Sequence, residues 1–150
     1  SKKLGSLNKK IIIEPGRFLT AESGILVTKI IYIKENESKK FIIVDAAMND
    51  FMRKALYGTN HQIIPSIKNG RILHKKFEFV GPICESTDKF LTLNKFQLLK
   101  EQDLIIICDV GAYGMSLASN YNVRPLPAEI LVKNSSAQII RNRQKLSDLI

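Results

Sequence analysis

GPICESTD, residues 81–88, places an isolated cysteine, Cys84, beside a carboxylate, Glu85, just where a strand-like run ends in Gly81-Pro82. Cysteine is usually buried and inert. One in an exposed turn has the partial exposure that thiol catalysis requires, provided its pKa is tuned. In extended chain Cys84 and Glu85 point to opposite sides, whereas in a turn both can reach one ligand. Asp88 reads as a turn residue, and Cys108, inside LIIICDV, reads as core.

Three other groupings carry chemistry. Glu14-Pro15-Gly16-Arg17 follows an apolar run, KIIIEP (10–15). Charged residues at the carboxyl end of a parallel strand sit where α/β folds build their sites. Gly16 lets a ligand approach the backbone, and Arg17 can clasp a carboxylate or phosphate, but a strand-ending turn with a surface ion pair fits equally well. Arg53 and Tyr57 are four apart on a short helix and share a face, which suits an anionic ligand or a solvated surface. Tyr113, bracketed by Gly111 and Gly114 in GAYGMSLASNYN (111–122), reads as a tyrosine presented on a tight loop. His61 reads as a supporting residue at most and His74 as surface. There is no Ser–His–Asp pattern, no P-loop and no metal-type spacing.

These residues must be positioned mainly by strands. The sequence predicts strands over KIIIEP (10–15), ILVTKIIYIK (25–34), KFIIVDAA (40–47), RILHKKFEFV (71–80), DLIIICDV (103–110), AEILVKN (128–134) and AQIIRNR (137–143). The second and third flank the polar turn ENES and form a hairpin, and the last two flank Ser135-Ser136 and form another. KIIIEP and LIIIC read as strands buried on both faces. Helical signals are few: one turn at TAESG (20–24), a helix in MNDFMRKALYG (48–58) capped by Asn49 or Asp50 and ended by Gly58, and a weak tail helix in QKLSDLI (144–150). KIIIEP has no partner of its own kind nearby, so a larger α/β domain is expected upstream.

Composition is that of a globular protein: 150 residues, 45% hydrophobic, 25% charged. The net charge of +9 is spread in doublets such as Lys39-Lys40 and Lys75-Lys76, with no base-stacking motif, so a nucleic-acid partner is not expected. No apolar run is long enough for a membrane helix, the N-terminus lacks a signal-peptide core, and two cysteines make no disulfide framework. These features predict a cytoplasmic protein with reduced thiols.

In order, EPGR (14–17), VDAAMNDFMRKALYG (44–58), GPICESTD (81–88) and GAYGMSLASNYNVRPLPAEILV (111–132) resemble the C-terminal part of the diaminopimelate decarboxylases. These are pyridoxal-phosphate-dependent enzymes of the alanine-racemase-like fold type, fold type III. The resemblance implies a mainly β, α+β chain. Residues 1–24 would be the end of a (β/α)8 barrel with its last strand, and 25–150 a barrel- or sandwich-like C-terminal β-domain and tail. The rest of the barrel, with the lysine that anchors the cofactor, would be missing.

The resemblance also assigns roles. Glu14 would pair with the cofactor's pyridinium nitrogen, and Pro15, Gly16 and Arg17 would line its phosphate. Arg17 and Arg53 would bind the distal carboxylate of the substrate, with Tyr57 beside them, and Tyr113 would touch cofactor and substrate. Cys84 would be the catalytic acid and Glu85 the acceptor of the distal ammonium group, their loop reaching into the other subunit of a homodimer. Glu85 favours diaminopimelate, because ornithine and arginine decarboxylases of this fold usually carry aspartate there; carboxynorspermidine decarboxylase is a more distant possibility. Lys54 and Leu126 depart from the usual proline and basic residue, but neither is a proposed contact. The implied function is decarboxylation of meso-diaminopimelate to L-lysine, by a fragment inactive without its barrel. The alternatives are a non-catalytic remnant or dimerisation domain, or an ornithine/arginine-type enzyme.

Overall fold

The computed structural model describes residues 9–68 and 70–150. Its frame is a six-stranded sheet built from β1 (Leu26–Glu35), β2 (Lys39–Val44), β3 (Ile63–Pro65), β5 (Lys76–Val80), β6 (Lys89–Leu93) and β8 (Leu104–Ile107), in the order β3-β8-β1-β2-β5-β6. All neighbours are antiparallel except β2 and β5, which run parallel with Ile42 opposite Phe79. Two small ribbons join β4 (Ile72–Leu73) to β7 (Phe96–Gln97) and β9 (Glu129–Lys133) to β10 (Ser136–Arg141). Among the described residues helix is confined to α1 (Arg17–Thr20), α2 (Arg53–Tyr57) and four short 3-10 turns. The chain is mainly β with short helices, as expected.

Alternation of side chains along each strand builds the core. Ile30 on β1, Ile42 and Val44 on β2, and Ile105 and Ile107 on β8 are all fully or almost fully buried on one face. β5 adds Phe77 and Phe79, and the β4–β7 ribbon brings Phe96 against them, with ring centroids 5.9 and 5.0 Å away. The ENES turn closes because Asn36 Oδ1 accepts the Ser38 and Lys39 N–H groups at 3.1 and 2.8 Å. Both expected hairpins form.

Several expectations need correction. The run 10–15 joins no ladder among the described residues, and Ile11, Ile12 and Ile13 are 54%, 75% and 81% exposed. A strand buried on both faces needs neighbours on each side and cover above and below, and no described segment supplies them. β8 is buried on one face only, since Leu104 is exposed and Ile106 half-buried. The 71–80 strand breaks at His74-Lys75 into β4 and β5. α2 begins at Arg53, with Met52 as an N-cap that makes no side-chain bond, so neither Asn49 nor Asp50 caps it. Gly58 does end it, in the left-handed conformation (φ 66°) with its N–H on Lys54 O. The tail forms only a 3-10 turn over Leu146–Asp148.

Candidate active site

Segment 45–52 leaves β2 and folds into a turn closed by Asp50, whose Oδ2 accepts the Ala47 N–H at 2.8 Å. Asn49, fully buried, then ties this turn to the 111–124 segment. Its Nδ2 donates to Ser119 O and its Oδ1 accepts from Arg124 Nε, each at 3.0 Å, while Ser119 N–H returns to Asn49 O at 2.9 Å. Arg124 also donates to Asp45 O and lies 3.7 Å from Asp50 Oδ2. Burial pushes the Asp50 carboxyl above its ordinary value, against the pull of the Ala47 N–H and the Arg124 charge. The loop carrying Tyr113 is thereby docked beside the helix carrying Arg53.

Arg53 is only 8% exposed, and its guanidinium carbon lies 5.5 Å from the ring centroids of both Tyr57 and Tyr113. This is cation–π geometry with two phenols. Arg53 Nε is buried and has no hydrogen-bond partner among the described residues. An unpaired buried donor is costly, so the arrangement favours an acceptor that completes it. Arg53, Tyr57 and Tyr113 line an open recess of about 240 Å³.

The GAYG loop is built by close backbone contact. A Cβ on Gly111 would collide with the carbonyl of Thr20, and one on Gly114 with that of Val110. Gly111 N–H donates to Ala21 O at 3.0 Å and Val110 N–H to Gly24 O at 2.9 Å, pressing the loop onto residues 20–24. Tyr113 itself has φ 60°, a left-handed conformation that costs a side-chain-bearing residue about 1–3 kcal/mol and marks positions held for a purpose. Gly16 faces it: a Cβ there would lie 3.5 Å from the Tyr113 hydroxyl. Glu14 and Arg17 are exposed, and among the described residues no side-chain hydrogen bond or ion pair joins either to this cluster.

His61 lies beneath. Its Nδ1 donates to Cys108 O at 3.0 Å, since a carbonyl can only accept, and its ring meets Phe51 edge-on at 4.6 Å. Nε2 is buried without a partner among the described residues. Burial holds the imidazole below its ordinary value despite the Cys108 bond, and the charges of Arg17 and Arg53 add to this.

The cysteine loop is a separate cluster. Asp88 organises it by accepting Ile83 N–H on Oδ2 and Met48 N–H on Oδ1, each at 2.7 Å, so its turn role holds. Burial pushes its carboxyl up, and the two N–H groups oppose this. Cys84 is an exposed free thiol, whereas Cys108 is half-buried with its pKa raised by burial. Glu85 Oε1 accepts the Tyr121 hydroxyl at 2.6 Å. Neither Cys84 nor Glu85 lines the Arg53 recess. A larger recess, about 500 Å³, lies between residues 65–70 and 97–104 and holds none of the expected site residues. The smaller one is the candidate, because it is lined by Arg53, whose Nε has no partner among the described residues, and by Tyr57 and Tyr113. Asn49, Arg124 and Tyr121 were not singled out as site residues from sequence, although all three lie inside the motif segments.

A family model for the pyridoxal-dependent decarboxylase C-terminal sheet domain matches residues 17–111. The diaminopimelate decarboxylase of Buchnera aphidicola subsp. Schizaphis graminum is 44% identical over 149 residues, covering 92% of this chain. The Escherichia coli K12 enzyme of that name is 41% identical over 152 residues, covering 94%. The crystal structure of diaminopimelate decarboxylase from Helicobacter pylori complexed with L-lysine matches 99% of this chain at 44% identity with a TM-score of 0.83. This chain spans 36% of the length of each of the three. Among the described residues no helix is long and apolar enough to cross a membrane. The sheet, the motif segments it brings together and these likenesses agree: the chain belongs to the pyridoxal-dependent decarboxylases, as their C-terminal sheet domain.

Proposed function

We propose that this chain is the C-terminal part of a decarboxylase that converts meso-diaminopimelate to L-lysine, the last step of lysine biosynthesis, with pyridoxal 5'-phosphate. The observation that carries the reading is Arg53, buried between Tyr57 and Tyr113 and lining an open recess, with no hydrogen-bond partner for its Nε among the described residues. Such a group is built for an anion, and the substrate brings a distal carboxylate.

The residues present also fit the cofactor. Gly16 leaves backbone accessible against the Tyr113 hydroxyl, which suits an anionic phosphate. Pro15, Gly16 and Arg17 would line that phosphate, Glu14 would pair with the ring nitrogen, and Tyr113 would contact both ring and substrate. When bound, pyridoxal phosphate supplies an electron sink for the bond broken at the α-carbon. Arg17, Arg53 and Tyr57 then hold the distal carboxylate, and Glu85 holds the distal ammonium. As carbon dioxide leaves, the Cys84 thiol gives its proton to the same carbon and is reprotonated from solvent.

Cys84 and Glu85 lie on a loop apart from the Arg53 recess, which supports a homodimer in which each loop serves the partner's site. Residues 1–24 belong in this reading to the end of a (β/α)8 barrel and 25–150 to the β-domain. The exposure of Ile11–Ile13 supports that division. Two free cysteines support a cytoplasmic setting.

The test mixes this chain with a matching barrel fragment, pyridoxal phosphate and meso-diaminopimelate, and measures carbon dioxide release. Activity well above that of either piece alone is expected. Activity no greater than the separate pieces would leave only a non-catalytic β-domain.

A further inference from the structure

Tyr121 lies in a motif segment yet has no part in the roles above. Its hydroxyl donates to Glu85 Oε1 at 2.6 Å, joining the GAYG-to-proline segment to the cysteine loop. The backbone that presents it is unusual. The next two residues, Asn122 and Val123, both have positive φ, 61° and 55°. A β-branched residue in that conformation is a true outlier, and two in succession persist only where the surroundings over-determine them.

The surroundings do so. Asn120 Nδ2 donates to Arg124 O at 2.8 Å, closing the turn, and to Gln144 Oε1 at 2.6 Å. Gln144 Oε1 also accepts Leu126 N–H at 2.9 Å. Arg124 is itself held by Asn49 and Asp45. Below Glu85, its own N–H donates to Ile83 O at 2.8 Å and its carbonyl accepts Asp88 N–H at 3.1 Å. Both ends of the Tyr121–Glu85 bond are thus fixed to the frame, though both side chains face solvent.

We infer that Tyr121 is a positioning residue for the distal ammonium group: by occupying Glu85 Oε1 it fixes the carboxylate so that Oε2 is left to receive the cation. The inference rests on the role proposed for Glu85. The pair lies within one chain, so the loop would arrive at a partner's site already assembled. Discrimination then comes from a fixed acceptor, which rejects a substrate end lacking its donor more strongly than a mobile one does.

The test uses the reconstituted enzyme with Tyr121→Phe, Glu85→Gln and the double variant. Tyr121→Phe is expected to raise KM for meso-diaminopimelate by about tenfold, the range of one hydrogen bond to a charged group, and to raise KM more than it lowers kcat. The inhibition constant of D-2-aminopimelate, which lacks the distal ammonium, should move less than twofold. Adding Tyr121→Phe to Glu85→Gln should have little further effect. Equal weakening of both ligands, or an unchanged KM in an active enzyme, would overturn the role of Tyr121 while leaving the proposed function standing. A wild-type enzyme that does not turn over diaminopimelate would overturn that function and the substrate role together. The bond is read independently by titrating ring-labelled tyrosines. The neighbouring carboxylate raises the Tyr121 phenol above its ordinary value, and Glu85→Gln should bring it back. An unmoved Tyr121 signal would remove the contact itself.

Discussion

Asn49→Ala is the most informative single perturbation of the frame. The amide is fully buried and makes three side-chain bonds: to Ser119 O at 3.0 Å, to Asp50 Oδ1 at 3.1 Å and from Arg124 Nε at 3.0 Å. The neutral bond to Ser119 O contributes about 1 kcal/mol, and those with the Asp50 carboxyl and the Arg124 guanidinium about 2 each. Arg124 keeps Asp45 O and Asp50, which recovers part of the loss. The net cost should therefore be roughly 3 kcal/mol, concentrated where the 111–124 segment docks. The Ser119 amide, bonded to Asn49 O at 2.9 Å, reports this locally. In native-state hydrogen exchange it should exchange roughly 150-fold faster in the variant, at one decade per 1.4 kcal/mol. The Gly58 amide, bonded to Lys54 O at the end of α2, is the internal control and should change little. Asn49→Asp keeps the acceptor for Arg124 but loses the donors to Ser119 O and Asp50 Oδ1 and sets a second carboxyl against Asp50, so it should not restore slow exchange. A Ser119 amide within threefold of wild type in Asn49→Ala would show that the segment is docked by something else.

Other outcomes can be checked directly. Burial works against ionising Glu78, but the Lys39 and Lys89 hydrogen bonds outweigh it and hold its carboxyl below 4.5. Its stabilisation is therefore full above pH 4.5 and lost as pH falls below that value. Glu78→Gln should lower the urea midpoint at pH 7 by an amount that shrinks in acid; a constant gap down to pH 3 would contradict this. For His61, held below 6.5 chiefly by burial, the unfolded chain takes up a proton first, so stability should fall as pH drops below 6.5. His61→Leu should flatten that slope, and parallel wild-type and variant curves between pH 8 and 5 would refute it. Cys84→Ala in the reconstituted enzyme should cut kcat by about 100-fold or more, the usual weight of a general acid, with cofactor absorbance nearly unchanged; unaltered turnover would dismiss Cys84. The chain alone, with Ile11–Ile13, Phe18 and the β9–β10 hairpin exposed, should be oligomeric or aggregate, and a cooperatively melting monomer in light scattering would count against that.

Much of this was legible in the residues, for reasons that differ by element. The β1–β2 and β9–β10 hairpins are local, so apolar runs and the turn chemistry of Asn36 were enough to find them. The pairing of β2 with β5 is parallel and non-local. The only signal for it was a connection between them long enough for a crossover. β3, β6 and β7 were missed because runs of two to five residues leave no period to read. Arg53 and Tyr57 do share a face, as the spacing of four predicts, but spacing could not say that Arg53 turns inward beneath Tyr113. The tight loop around Tyr113 was readable from its two glycines, whereas its meeting with Gly16 depends on the loop docking onto residues 20–24, some ninety positions away. Tyr121 was visible as a residue but its partner was not, since thirty-six positions separate it from Glu85.

The strand order sets a timetable for synthesis. β1 takes β2 on one edge almost at once, but its other edge is completed by β8, with Leu26 opposite Ile107. At roughly 5–20 residues per second, a ribosome would need on the order of several seconds to supply that second neighbour. During that interval Leu26, Thr28 and Ile30 sit on a strand with one bare edge and no opposing core. A chaperone that shields the hairpin for those seconds should raise soluble yield more than one acting after release. Slowing translation between β2 and β8 should lower it.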